Sequence, residues 1–238
     1  MTEDHAADSK PAVSVVLPVR NGARFLAESL DCILHQTPPV LELLIIDGKS
    51  TDATPNIVAA FAGRDPRVRC IVQTGKGVGD AYNIGIEAAQ GDYIAFASHD
   101  DNWTVDKLAV QLAYMDAHPE VDYSIGRARF FLEPGCSVPP GFRTYLLEGE
   151  HMIRGVEVMM VRRTLFARIG IFPTDYVSAA DVEWLARATH MNAVLGEIDH
   201  LLLNRRIHDL NTSIQNLDNT REMLRALRTS LHLKKGSS

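Results

Sequence analysis

Four short apolar runs set the terms on which this chain can fold. They lie at 12–19 (AVSVVLPV), 41–46 (LELLII), 68–73 (VRCIVQ) and 93–97 (YIAFA). Each has strand length and is apolar or β-branched, as buried strands are. The stretches between them have helical spacing or helix-start signals. In 24–36 the apolar residues are Phe25, Leu26, Leu30, Ile33 and Leu34, and Pro38-Pro39 breaks the pattern. Asp47-Gly48 closes the second strand, and residues 50–54 (STDAT) offer caps for a helix with Pro55 in its first turn. Gly75, Gly77 and Gly79 then form a loop before an amphipathic helix at about 80–89. Four strand–helix alternations mean βαβ units, a parallel sheet and right-handed crossovers. Pro18 is awkward in a central strand, so the first strand is expected to end there.

The strands deliver polar residues at their carboxyl ends: Asn21, Asp47, Asp100 and Asp101. In a parallel sheet these ends share one rim, where ligands of open α/β sheets bind. Adjacent carboxylates at the end of a buried strand suit a hard divalent cation, which takes oxygen ligands and leaves positions for water and phosphate. The alternative is that Asp100 caps the next helix and Asp101 charges its first turn.

Beyond Trp103 the pattern predicts a helix at 105–117, strands at 121–125 and 128–132, and a Pro- and Gly-rich loop at 133–143. An apolar, β-like stretch follows at 156–161, then helices at 164–169 and 180–191, a strand within 193–203, and a helix from Leu217. At 238 residues the chain is expected to be one large domain, or a domain with an appendage. A net charge of −6 argues against nucleic acid as a partner. Cys32, Cys70 and Cys136 are widely spaced and indicate neither zinc nor a disulfide framework, so a reducing cytoplasm is expected. Residues 1–11 are charged and small, are expected to be disordered, and lack an apolar signal core. No apolar run is long enough to span a membrane, so membrane contact is expected to be peripheral at most.

Several segments, in order, resemble the family-2 glycosyltransferases. Residues 15–22 (VVLPVRNG) resemble the family's opening strand and turn, with Arg20 where an aromatic is usual, and Gln36-Thr37 matches the end of its first helix. Residues 46–54 (IDGKSTDAT) resemble its acidic nucleotide-binding segment, with Gly48 where many members carry a second Asp. Residues 77–86 (GVGDAYNIGI) match the Gly…Ala-x-Asn-x-Gly pattern before the metal site. Residues 89–103 match the metal-site region, often Asp-x-Asp-Asp, with Ser98 in place of the first acid. Residues 163–187 resemble the acceptor-side segment and place Asp181 at the catalytic base, while 204–213 resemble the closing Arg-x-His segment.

The resemblance implies an α/β GT-A fold. It consists of a mostly parallel, Rossmann-like sheet flanked by helices, with an acceptor-side segment and a helical tail. The expected division is a catalytic domain at 12–213, split near 104 into nucleotide-sugar and acceptor halves, with a tail at 214–238. It implies an inverting transfer dependent on Mn²⁺ or Mg²⁺, from a nucleotide sugar, a UDP-sugar being expected. The acceptor is a hydroxyl of a glycan, lipid-linked sugar, protein or peptide. Asp181 is then the base, and Asp100, Asp101 and His208 hold the metal. Pro18, Val19, Asn21, Asp47, Gly77, Asp80, Asn83, Ser98, His99, Asp100 and Arg206 contact the donor.

Physical chemistry supports the same roles. A diphosphate entering beside Asp47, Asp100 and Asp101 needs a cation to offset repulsion. An acceptor hydroxyl needs a base within hydrogen-bond reach, for which Asp175 competes with Asp181. Two alternatives stay open: a nucleotide-sugar-binding module without catalysis, favoured by Ser98 and Gly48, and a nucleotidyltransferase, disfavoured by the non-basic, Gly-poor first loop. The apolar stripe of the tail helix is compatible with packing on its own domain or with a homo-oligomer.

Overall fold

The computed structural model describes residues 12–176, 179–209, 211 and 222. The N-terminal segment expected to be disordered and the tail expected to be helical from Leu217 lie outside them, apart from residue 222.

The first half is built as the alternation requires. Strands β1 (Val13–Val19), β2 (Glu42–Asp47), β3 (Val68–Val72) and β4 (Tyr93–Phe96) alternate with helices α1 (Leu26–Leu34), α2 (Thr54–Arg64) and α3 (Gly77–Ala88). β1 pairs in parallel with β2 and β4, and β2 with β3. Leu43, Leu44, Ile45 and Ile46 are all fully buried, as expected of a strand covered on both faces. Each such side chain contributes about 1.5–3 kcal/mol.

β1 does not stop at Pro18. Gly48 N donates to Val19 O on the β2 side, and Ala97 N donates to Val16 O on the β4 side. Backbone groups alternate sides along a strand, so the nitrogen of Pro18 faces the β4 side. The β1–β4 register ends at Val16–Phe96, so no ladder partner is lost there.

The second half adds β5 (Asn102–Trp103), α4 (Lys107–Ala117), β6 (Tyr123–Leu132), β7 (His151–Met152), β8 (Met160–Arg162), α5 (Arg163–Ile169), α6 (Ala180–His190) and β9 (Leu195–Ile207). The sheet order is β3-β2-β1-β4-β8-β6-β9-β5, with β7 paired to β6. The expectation of a mostly parallel sheet holds for the first half and for β6–β9. The β4–β8, β6–β8, β5–β9 and β6–β7 pairs are antiparallel, so the whole sheet is mixed. The two strands expected at 121–125 and 128–132 are one, with a register shift around Arg127. A side chain at Gly126 would meet Leu202 Cδ1 at 2.4 Å, so its absence lets β9 approach there. The stretch 156–161 is a 3₁₀ turn (Val156–Val158) leading into β8.

Two glycines of α3 are close-packing positions. A Cβ at Gly85 would meet Val16 Cγ1 at 2.2 Å, and one at Gly79 would meet Pro173 O at 2.4 Å. They seat α3 against β1 and against the loop before α6. Phe96, Phe166, Phe172 and Trp184 pack ring to ring beneath this junction, so Trp184 is core, as expected of it. No helix among the described residues is long and apolar enough to cross a membrane.

Candidate active site

The carboxyl ends of β1 and β2 form one side of the rim. Val19 and Asp47 are register partners. The buried Asp47 carboxylate accepts Ser50 N, at 3.1 Å to Oδ1 and 3.4 Å to Oδ2. This is the turn-closing role open to an Asp before Gly, and it leaves acceptor capacity on both oxygens. Asn21 adopts φ 53°, a left-handed conformation that Asn tolerates. Its backbone N–H donates to Ser50 Oγ at 2.8 Å, and its Oδ1 accepts Thr51 N at 2.8 Å. Asn21 thus joins the turns after β1 and β2. At Gly48 a Cβ would lie 3.2 Å from Arg20 Cβ and 3.3 Å from Gln73 Oε1, leaving little room for a second acid. Pro18 and Val19 form the strand end beneath this turn.

The turn after β4 separates the two adjacent acids. Asp100 Oδ2 lies 3.0 Å from His208 Nε2 and accepts Asn211 Nδ2 at 3.1 Å. The Ser98 hydroxyl donates to its other oxygen. Burial opposes the charge of Asp100, but the His208 hydrogen bond, the charge of His99 and the Ser98 hydroxyl together hold its carboxyl well below the usual carboxylate range. Ser98, which stands where the family has an acid, therefore supports Asp100. The His99 ring fills the space at Gly22, where a Cβ would meet His99 Cδ2 at 2.5 Å. Asp101 turns inward, is almost fully buried, and accepts the backbone N–H of Arg206 at 2.9 Å. Burial foremost raises its pKa; Arg205 opposes the rise, and Asp100 and Glu157 add to it. Asp100 faces the rim, and Asp101 ties β9 to the turn.

Arg206, expected to touch the donor, is committed elsewhere. Its Nε donates to Asp100 O at 3.0 Å, its Nη2 to Glu28 Oε2 at 2.6 Å and its Nη1 to Glu133. Phe25 and Phe131 lie against the guanidinium. It knots α1, the end of β6 and the turn after β4 together. Arg205 faces the opposite side of β9 and pairs with Glu157 at 3.4 Å. Glu157 foremost holds Arg205 charged, against burial, and Asp101, Asp100 and Asp181 reinforce it. Sequence reasoning missed Glu157. Its one signal was an acid inside the apolar stretch 156–161.

Asp181 stands in the first turn of α6, after the N-cap Ala179, and its carboxylate accepts Val182 N at 2.9 Å. Burial, with Glu157 adding, pushes it up to about 6, which suits a general base near neutral pH. Asp175, its competitor, is exposed. Gly77 opens α3 at φ +83° below Tyr176 O. Asp80, in the first turn of α3, accepts Gln73 Nε2 at 2.8 Å and curls over Gly75. The Asn83 amide is spent on backbone: Nδ2 donates to Phe172 O at 2.8 Å and Oδ1 accepts Phe172 N at 2.9 Å. Asn83 therefore fixes the loop before α6.

Among the described residues no group of three or more His, Cys, Asp or Glu side chains converges on one point as a metal cage. The donor set still fits an Mg²⁺ or Mn²⁺ ion of the diphosphate-bound kind. A rim carboxylate and an imidazole lie side at side in Asp100 and His208, and such ions take one or two protein ligands and complete their shell with water and phosphate.

Residues 14–161 match the family described as Glycosyl transferase family 2. The chain belongs to that family. Among curated relatives, TuaG of Bacillus subtilis (strain 168), named for teichuronic acid biosynthesis, is 36% identical over 107 residues, 44% of this chain and 42% of TuaG. The uncharacterized glycosyltransferase RT0329 of Rickettsia typhi is 24% identical over 215 residues, 85% of this chain and 66% of that protein. The chain thus spans less than two thirds of the length of these relatives. TarS 1–349 of S. aureus, in complex with UDP-GlcNAc, superposes with a TM-score of 0.74 at 18% identity, over 93% of this chain and 66% of that one. The mannosyltransferase PcManGT of Pyrobaculum calidifontis, in complex with GDP-Man and Mn²⁺, gives 0.65 at 23% identity, over 87% and 59%. These likenesses establish the GT-A fold.

Proposed function

We propose that this chain transfers a sugar from a nucleotide-diphosphate donor, a UDP-sugar in the first instance, to an acceptor hydroxyl with inversion at the anomeric carbon. The observation that carries the reading is the Asp100–His208 pair at 3.0 Å on the rim of the sheet. TuaG, named for teichuronic acid biosynthesis, and the donor-bound TarS and PcManGT support the class of substrate. The three free cysteines favour the cytoplasm.

The nucleotide base lies against the turns after β1 and β2, where Asp47 retains lone pairs for a base N–H. Asp100 and His208 would hold an Mn²⁺ or Mg²⁺ ion, which when bound offsets the diphosphate charge and stabilises it as a leaving group. Asp181 takes the proton of the acceptor hydroxyl as its oxygen attacks the anomeric carbon. The bond to the diphosphate breaks on the opposite side, and the nucleoside diphosphate departs with the electron pair. General-base help of this kind is worth about 10²–10⁴-fold.

The test is the thermal shift produced by UDP with and without Mn²⁺. Ligand far above Kd should stabilise the wild type by about 3 kcal/mol only when both are present. Asp100→Ala should lose the Mn²⁺-dependent part. A wild-type chain with no Mn²⁺-dependent shift would exclude the metal–diphosphate reading. A full shift without sugar transfer to any acceptor would favour the non-catalytic binding module.

A further inference from the structure

Asn211 is a buried polar residue just beyond β9, and its amide is spent on the rim. Its Nδ2 donates to Asp100 Oδ2 at 3.1 Å and to Arg206 O at 3.2 Å. Its Oδ1 accepts the backbone N–H of His208 at 2.6 Å. Two acceptors on one side of the amide and a donor on the other fix which way it points. The Asn211 N–H donates to His208 O at 3.3 Å, so residues 208–211 close on themselves as a turn. One planar group thus ties together the acid after β4, the end of β9 and the backbone of the histidine.

Few side chains could make this set of bonds. Asn offers two N–H donors and a carbonyl acceptor in one plane. An ionised Asp has no donor for Asp100, a Ser has one donor at most, and Gln carries the same groups a methylene farther out. The other contacts of the pair do not replace it. The His208 ring packs on Phe25, with ring centres 4.7 Å apart. The Ser98 hydroxyl holds the second oxygen of Asp100. Neither contact joins the acid to the histidine. Asn211 does, because the Asp100 oxygen that lies 3.0 Å from His208 Nε2 is the one that receives its amide.

We propose that Asn211 is a positioning residue for donor binding: its amide holds Asp100 and His208 at the spacing from which both can reach one cation. This role rests on the reading of Asp100 and His208 as ligands of a diphosphate-bound Mn²⁺ or Mg²⁺ ion. Such an ion takes only one or two ligands from the protein, so its affinity depends on how firmly those few are oriented. Without the Asn211 amide, Asp100 Oδ2 loses one of its two partners and the His208 N–H loses this acceptor. Both ligands are then loosened at once. Partners that orient metal ligands are worth about 10–100-fold in metal affinity.

The experiment titrates the full chain with Mn²⁺ in excess UDP and reads the bound ion by electron paramagnetic resonance, below the melting temperature of each variant. Asn211→Ala should bind Mn²⁺ about 10–100-fold more weakly than the wild type. Val58→Ala, a core truncation in α2, should lower the melting temperature and keep the wild-type Mn²⁺ affinity. Wild-type affinity in Asn211→Ala, whatever its melting temperature, would make Asn211 purely structural and overturn the proposal. An equal loss of affinity in Val58→Ala would overturn it too. If Asn211→Ala does not fold, Asn211→Ser takes its place, with the same loss expected and the same result overturning the role. A wild type that binds no Mn²⁺ in the presence of UDP overturns the metal–diphosphate reading and this role with it. A wild type that binds the ion, beside an Asn211 variant that binds it equally well, overturns this role alone.

Discussion

Asp101 accepts the backbone N–H of Arg206 at 2.9 Å across 105 residues of chain. The Arg206 side chain returns the contact by donating to the carbonyl of Asp100 at 3.0 Å. The turn after β4 and the end of β9 are thus held as one unit, with Glu28 and Glu133 closing the knot. Arg206→Met leaves the largely buried Glu133 without its closest cation, and should cost about 3–5 kcal/mol in urea unfolding. Arg206→Lys should recover little, because an ammonium cannot reproduce the fork that reaches Glu28, Glu133 and the carbonyl together.

Transfer should depend on pH through Asp181. A base works only when deprotonated, and burial sets its midpoint at about 6. The rate should therefore be level above that value and fall about tenfold per pH unit below it. Asp181→Asn should lower kcat by about 10²–10⁴-fold and remove the acid limb. Steady-state rates at saturating donor between pH 5 and 8 check both points.

Asn83 should report on stability rather than on the donor. Its amide satisfies both backbone groups of Phe172, which are buried. Asn83→Ala strands them and should cost about 2–3 kcal/mol in thermal or urea unfolding. Calorimetric titration of the folded variant with nucleotide should give the wild-type affinity. A loss of affinity without a loss of stability would return Asn83 to the donor site.

Lys107 should make stability rise with pH. It is fully buried over the Trp103 ring, donating to Gln111 Oε1 at 2.6 Å and Val158 O at 3.3 Å. Burial lowers its pKa to about 7 from 10.5. Between those values the unfolded chain binds the extra proton, so stability gains about 1.4 kcal/mol per pH unit as pH rises. Below about 7 the penalty of the buried ammonium is complete. Lys107→Met should accordingly stabilise more at pH 7 than at pH 9, by about 2–3 kcal/mol, read from paired urea titrations.

The elements legible in the sequence were those with a local signature. β1, β2 and β4 are mostly apolar runs, and α1 and α4 show helical spacing, so most of the parallel half followed from pattern alone. β5, β7 and β8 are two or three residues long. They exist because neighbouring strands offer them partners, which no short window of sequence contains. The same holds within the site. Asp100 and Asp101 are chemically identical neighbours, and only the position of β9 turns one to the rim and the other to the core. Arg206 read as a phosphate contact because its partners, Glu28 and Glu133, are 178 and 73 residues away. Gly79 read as a loop residue because the backbone it makes room for, at Pro173, comes from another element.

The long strand β9 is also a matter of timing. It is the last strand of the sheet, yet it inserts between β6 and β5 and carries Arg205 and Arg206, with His208 just beyond. A chain emerging from the ribosome can complete its four parallel strands and their helices while this position is still empty. Asp100 then lacks its imidazole, Asp101 lacks its backbone partner, and β5 has nothing to pair with. Among the described strands, the rim is thus complete only once β9 slots in between β6 and β5.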